Sequence, residues 1–174
     1  MKVLVFAASN SRQSINQQLA SYAGSLIPNA ELEVLDLNDY EMPIYSIERE
    51  TEGGIPDEAQ RFYAKIGAAD AIIVSFAEHN GSYSAAYKNL FDWTSRLDMK
   101  VYQNTPMLMM ATSPGPGGAQ SVLASAVGSA PYFAADVKAS LSVPSFFDNF
   151  DSETGELTND EIKQQLEAAL KLLH

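Results

Sequence analysis

Three runs of consecutive apolar residues limit what this chain can become: Val3-Leu4-Val5-Phe6-Ala7, Ala71-Ile72-Ile73-Val74-Ser75-Phe76 and Pro106-Met107-Leu108-Met109-Met110-Ala111. None alternates polar with apolar, so none suits a strand with one wet face. Each suits a strand covered on both sides, the habit of parallel sheets. Each run stops at a cluster of small polar residues or glycines. Apolar residues at helical spacing then follow: Ile15, Leu19, Tyr22 and Leu26 after the first, and Ala86, Leu90, Trp93 and Leu97 after the second. A helix rich in small residues, 119–130, follows the third.

Weaker signals fill the intervals. Pro28-Asn29 ends the first helix, and Leu32, Val34 and Leu35 mark a short strand. The stretch 36–54 has little periodicity and reads as a long loop. Pro56-Asp57-Glu58 suits a helix first turn, with Ala59, Phe62 and Ile66 as its apolar stripe. A fifth strand is expected over 137–143 and a loop over 149–155. Thr158 and Glu161 have capping-box spacing ahead of a last stripe, Ile162, Leu166, Leu170 and Leu173. Strands and helices alternate, which predicts an α/β three-layer sandwich: a five-stranded parallel sheet with helices on both faces. Five strands favour the flavodoxin-like order 2-1-3-4-5 over a six-stranded dinucleotide fold. In that order a ligand sits at the carboxyl ends of the strands, where the turns after strands one, three and four meet.

Composition removes several functions. The chain has no cysteine, which excludes disulfides, thiolate metal sites and thiol nucleophiles, and only His79 and His174 offer imidazole. No metal site is expected. A formal charge of −11 over 174 residues argues against nucleic acid or an anionic membrane as partner. No apolar run is long enough for a spanning helix or a signal sequence. The expectation is one soluble, cytoplasmic domain, 1–174.

The three turns differ in chemistry. Ser9-Asn10-Ser11-Arg12-Gln13-Ser14-Ile15-Asn16 carries three hydroxyls and a guanidinium, and ends at a helix N-terminus. Free backbone N–H groups and the helix dipole favour an anion there, and Arg12 suits phosphate oxygens. Ser11 or Ser14 acting only as a helix cap is the plainer alternative. The turn lacks the signatures of a nucleotide-triphosphatase loop and of a dinucleotide fingerprint. In Glu78-His79-Asn80-Gly81-Ser82-Tyr83-Ser84, Asn80 and Gly81 tolerate positive φ, so backbone groups can point outward along the edge of a flat heterocycle. His79 and Tyr83 are either planar contacts for that ring or ordinary surface residues. The third turn, Ser113-Pro114-Gly115-Pro116-Gly117-Gly118, is small and stiff and suits a ring face.

With these residues in place, the chain resembles the NADPH-dependent FMN reductases, flavodoxin-like enzymes that include quinone, chromate and azo-dye reductases. Glu78-His79-Asn80-Gly81-Ser82, then Lys88-Asn89-Leu90-Phe91-Asp92-Trp93 and Ser95-Arg96, are similar to the family block Pro-Glu-Tyr-Asn-Gly-Ser…Leu-Lys-Asn-Ala-Ile-Asp-Trp…Ser-Arg. Ser9, Ser14 and Asn16 match the family's Gly-Ser-x-Arg-x-x-Ser-x-Asn. Ala8 replaces its first glycine, Ser11 stands where the arginine is usual, and Arg12 comes one residue late. Ala77, His79 and Ser84 replace a proline, a tyrosine and a proline, which predicts a looser central turn.

The resemblance implies that Ser9, Ser11 or Arg12, Ser14 and Asn16 hold the FMN phosphate. Glu78, His79, Asn80, Gly81 and Ser82 would border the ring, and Ser113, Gly115 and Gly117 would form a third wall. It implies electron transfer from NADPH or NADH through FMN to a small-molecule acceptor such as a quinone, by ping-pong kinetics with no catalytic side chain. It also implies a homodimer or homotetramer. Lys88, Asp92 and Arg96 are read as a helix-surface or subunit-contact network. The alternative function is an electron carrier or flavin-binding module that does not itself oxidise NAD(P)H.

Overall fold

In the computed structural model, residues 1–173 are described, and His174 lies outside them. Five strands form one parallel sheet: β1 (Lys2–Ala8), β2 (Glu31–Leu35), β3 (Ala71–Phe76), β4 (Pro106–Thr112) and β5 (Asp136–Val143). Their order is β2-β1-β3-β4-β5, and every neighbouring pair is parallel, as the apolar runs require. Successive side chains leave opposite faces of each strand, so an unbroken apolar run feeds two cores at once. Leu4, Phe6, Ile72, Val74, Met107 and Met109 pack on one side, with Phe62, Ile66, Leu90 and Trp93. These last four belong to α3 (Asp57–Gly67) and α4 (Ala85–Thr94). Val3, Val5, Ile73, Leu108 and Met110 pack on the other side, with Leu19, Leu166 and Leu170. Those belong to α1 (Ile15–Ser25) and α7 (Asp160–Leu170). Each fully buried aliphatic side chain contributes about 1.5–3 kcal/mol, so the two cores dominate the stability.

The edge strand β2 is built differently. Leu32 and Val34 are exposed, and only Leu35 is buried. Glu33 sits between Lys2 and Lys65, whose hydrogen bonds hold its carboxyl below the ordinary range. A charged edge discourages pairing with another sheet.

Three stretches depart from the sequence reading. The expected loop over 36–54 contains a 3-10 turn, Leu37–Tyr40, and a short helix, α2 (Ile47–Gly53). Asp36 and Ser46 start them by accepting from the N–H groups of Asn38 and Arg49. Because α2 buries no side chain, it leaves no apolar periodicity in the sequence. The helix expected to reach Leu97 ends at Thr94, where i→i+3 bonds from Arg96 to Trp93 and from Leu97 to Thr94 tighten the chain; Leu97 is exposed. The expected loop over 149–155 carries a two-residue strand, β6 (Phe150–Asp151), paired antiparallel with β7 (Glu156–Leu157) after the single turn α6 (Phe146–Asn149). The cap of α7 is Asn159, not Thr158: its Oδ1 accepts from Glu161 and Ile162.

Candidate functional site

The turns after β1, β3 and β4 meet at the carboxyl edge of the sheet. They line one cavity of about 290 Å3, bordered by Ser9, Ser11, Gln13 and Ser14 on one side and by Glu78, His79, Thr112 and Ser113 on the other. Among the described residues, cross-bonds tie each turn to another.

The first turn is held by its own serines. Ser9 Oγ accepts from the N–H of Ser11, and Ser11 Oγ accepts from that of Gln13. Ser14 caps α1 by accepting from the N–H of Gln17. No acceptor is found among the described residues for the N–H groups of Arg12, Ile15 and Asn16. The first turn of α1 also contains no acidic residue. Free N–H groups, serine oxygens and an uncompensated positive helix end are together the donor set of an anion site. Arg12 is exposed and lines a neighbouring cavity with Leu35 and Asp36; Ser11, not Arg12, lines the cleft shared by the three turns.

Asn16 is 3% exposed, and its side chain faces inward. Its Oδ1 accepts from Ser75 Oγ at 2.7 Å and from the N–H of Thr112 at 3.1 Å, and its Nδ2 donates to the Thr112 carbonyl. One residue of α1 thus ties β3 to the end of β4. Ser75, the single hydroxyl inside an otherwise apolar strand, was the sequence signal for this network.

The second turn is a hairpin in miniature. His79 and Ser82 exchange both backbone hydrogen bonds across Asn80 and Gly81, which have φ of 52° and 77°. Two successive positive φ values are what a two-residue hairpin with Asn-Gly at its tip requires. Ser84 is buried, caps α4 by accepting from the N–H of Tyr87, and donates to the Ala8 carbonyl at 2.9 Å. The turn after β3 is thereby fastened to the end of β1.

The Glu78 carboxylate leaves its own turn. Its Oε1 accepts from the N–H of Val122 at 2.8 Å, in the first turn of α5 (Gln120–Ser129). The N-cap residue of α5, Ala119, has no side chain able to do this, so Glu78 caps that helix from the neighbouring turn. In the third turn Ser113 Oγ donates to the Gly115 carbonyl, and the carbonyls of Ser113 and Gly115 accept from the N–H groups of Phe146 and Ser145. Gly115 and Gly117 have open space around them, whereas Gly118 does not. At φ 59°, a Cβ on Gly118 would lie 2.3 Å from Ser142 Oγ. Sequence reasoning missed Gly118, Ser84 and Ser75 as residues that build the site.

Elsewhere, Lys88 pairs with Asp92 at i,i+4 on α4, and Arg96, just beyond the end of that helix, pairs with Glu50 of α2. Among the described residues, no cluster of three or more His, Asp or Glu side chains is able to hold a metal ion.

Comparisons with known proteins bear on the family and the fold. A 2-hydroxy-1,4-benzoquinone reductase from Burkholderia is 31% identical over 66% of this chain and 62% of its own. An NAD(P)H:quinone oxidoreductase from Solanum tuberosum is 29% identical over 99% of this chain and 91% of its own. The match to an NADPH:quinone oxidoreductase of Arabidopsis thaliana, 33% identical over 55% of this chain, spans 47% of that protein. The matches to the Burkholderia and Arabidopsis proteins thus span about half to three fifths of those relatives' length. The flavoenzyme NAD(P)H:acceptor oxidoreductase FerB of Paracoccus denitrificans shares the fold, with a TM-score of 0.76 at 21% identity over 99% of this chain and 96% of that one. The sequence model of the NADPH-dependent FMN reductases matches residues 1–148, most of the chain, and the chain belongs to that family.

Proposed function

We propose that this chain is one flavodoxin-like domain that binds FMN in the cleft between its three turns and acts as an NAD(P)H-dependent oxidoreductase on a quinone-type acceptor. The observation that carries the reading is the set of unpaired N–H donors at a helix start free of acids, inside a cleft whose other walls are backbone-rich turns. When bound, FMN supplies the redox chemistry between NAD(P)H and the acceptor. The protein's part is binding and orientation.

Ser9, Ser11 and Ser14, with the N–H groups of Arg12, Ile15 and Asn16, hold the phosphate. Arg12 adds positive potential from the neighbouring cavity. The hairpin 78–82 borders the ring with its backbone, with His79 beside it. Ser113, Gly115 and Gly117 supply the third wall. Asn16 and Glu78 act at one remove: Asn16 sets the spacing of the first and third turns, and Glu78 that of the second and third. These crossed bonds hold the cleft in one shape before a ligand arrives, so little ordering remains to be done on binding.

The names of the relatives support a quinone as acceptor. The absence, among the described residues, of any helix long and apolar enough to cross a membrane, together with the acidic charge, supports a cytoplasmic protein. A homodimer or homotetramer is part of the same reading, and sedimentation velocity measures it.

The deciding experiment is a visible spectrum of the purified protein with FMN, before and after anaerobic NADPH. The expected result is bound flavin bleached by NADPH and recoloured by a quinone. Bound flavin that NADPH leaves coloured would replace the reductase with a carrier. No retained flavin would overturn the assignment of the cleft.

A further inference from the structure

The tip of the second turn brings together two groups that can react with each other. Asn80 and Gly81 are both exposed, and a Cβ on Gly81 would meet nothing within 4 Å. Their hairpin is an isolated bridge outside the sheet, closed by the two bonds between His79 and Ser82. Among the described residues, neither the Asn80 side-chain amide nor the N–H of Gly81 has a hydrogen-bond partner within the protein. A free side-chain amide followed by a free, unhindered backbone nitrogen is the pair from which a cyclic imide closes.

Every other asparagine has one of the two groups tied down. Asn10 is also exposed and followed by a small residue, but the N–H of Ser11 donates to Ser9 Oγ. The N–H groups that follow Asn29, Asn38 and Asn104 donate to the carbonyls of Ile27, Asp36 and Tyr102. The side chains of Asn16, Asn89, Asn149 and Asn159 are held by hydrogen bonds of their own. At the tip, what opposes reaction is the hairpin itself. Asn80 sits at φ 52°, and the imide closes only when its backbone rotates out of that left-handed well. Opening one two-bond bridge is a local event that leaves the sheet and its two cores intact.

We infer that Asn80 is a self-modification site, at which the folded protein converts its own cleft rim to aspartate and isoaspartate. The backbone nitrogen of Gly81 attacks Asn80 Cγ. The Cγ–Nδ2 bond breaks, and the amide leaves as ammonia with the proton of the Gly81 N–H. Water then opens the imide. Cleavage of the new C–N bond gives aspartate, and cleavage of the original peptide bond gives isoaspartate. Either product adds a carboxylate at the rim. Isoaspartate also lengthens the main chain by one methylene between His79 and Ser82, which puts their two bonds out of register. The modification stands on the hairpin alone. Its consequence rests on the proposed FMN site: a converted molecule, with its ring border displaced and negatively charged, holds FMN more weakly.

The test is a prolonged warm incubation of the flavin-free protein in neutral buffer, followed by peptide mass mapping and an isoaspartate-specific methylation assay. A parallel sample is kept unfolded in urea. The control variant is Asn80→Gly, because Gly-Gly suits the same two-residue hairpin and has no amide to cyclise. The folded wild-type protein is expected to exchange amide for acid at Asn80 ahead of every other asparagine, with isoaspartate as the larger product. Asn80→Gly should keep its mass over the same period. Conversion of Asn80 in urea but not in the folded protein would show that the hairpin shields it, and overturns the inference. Conversion of Asn10 as fast as Asn80, or an equal mass change in Asn80→Gly, overturns it too. Converted and fresh protein, separated by anion exchange, are then titrated with FMN. The converted form should bind about tenfold more weakly, while aged Asn80→Gly should match its fresh form. If Asn80 converts and FMN is held equally well, the modification stands and the hairpin loses its place beside the ring.

Discussion

The turns after the three central strands and the connections after the two edge strands follow opposite electrostatic plans. α1, α4 and α5, which follow β1, β3 and β4, have no acidic residue in their first turns. After edge strand β2, α2 opens with Glu48 and Glu50, and α3 with Asp57 and Glu58. After edge strand β5, α7 opens with Asp160 and Glu161. An acid in a first turn stabilises its helix by about 0.3–1 kcal/mol. In a chain with 22 acids against 11 basic residues, α5 takes its carboxylate from Glu78 of the neighbouring turn, and the starts of α1 and α4 are left bare, forgoing stability that was easily available. The two bare starts follow the turns after β1 and β3. The difference teaches that beside the cleft a helix start either stays bare or borrows its carboxylate from another turn, whereas at the edges each helix carries its own.

The comparison can be broken in several places. Asn16→Ala should have the largest effect. It strands Ser75 Oγ and both backbone groups of Thr112, for a loss of about 3 kcal/mol. The melting temperature should fall by roughly 6–12 °C, and FMN should be held more weakly. An unchanged melting temperature would show that Asn16 is no strut. Gln13→Glu brings a carboxylate to the bare start of α1. FMN affinity measured by fluorescence should fall about tenfold through charge repulsion, with stability nearly unchanged. At the edge, Asn159→Ala removes the cap of α7. It should cost about 1 kcal/mol in urea unfolding and leave FMN affinity alone. Glu58→Gln in α3 should cost only a few tenths of a kcal/mol, again with no change in FMN binding. If the edge variants weaken FMN as much as Gln13→Glu does, the division is wrong.

Acid offers the mildest probe. Glu50 accepts hydrogen bonds from Arg96 and Tyr45, in that order of effect, and both hold its carboxyl below its ordinary value. A lowered folded-state value means that the contribution is complete above the ordinary carboxylate range and is lost as pH falls through the lowered value. Amide exchange over 46–54 should therefore speed up in that acidic window, beyond the change in intrinsic rate. Arg96→Ala should remove most of the added sensitivity.

The same division governs what could be read from the sequence. The central strands and the turns between them were legible because double-sided burial leaves unbroken apolar runs, and because a two-residue hairpin demands Asn80-Gly81. The edges were not. α2 buries nothing, and the β6–β7 pair has two residues per strand, so neither has a period long enough to register. Within the site, residue types were legible and directions were not. Nothing local tells that Glu78 reaches across to α5, that Asn16 turns inward, or that Ser84 fastens to β1. Those are contacts between residues 44, 96 and 76 positions apart. Gly118 looked like one glycine among three because its crowding comes from Ser142 and Pro144, which lie on another strand and beyond it.

The crossed bonds also have a consequence for how such a protein can diversify. The floor of the cleft is a closed circuit, so a change in one turn must be matched in another. The hairpin tip at Asn80-Gly81 belongs to no part of that circuit, and a side chain at Gly81 would meet nothing within 4 Å. Residues could be inserted there without disturbing any cross-tie, lengthening the lip over an unchanged floor.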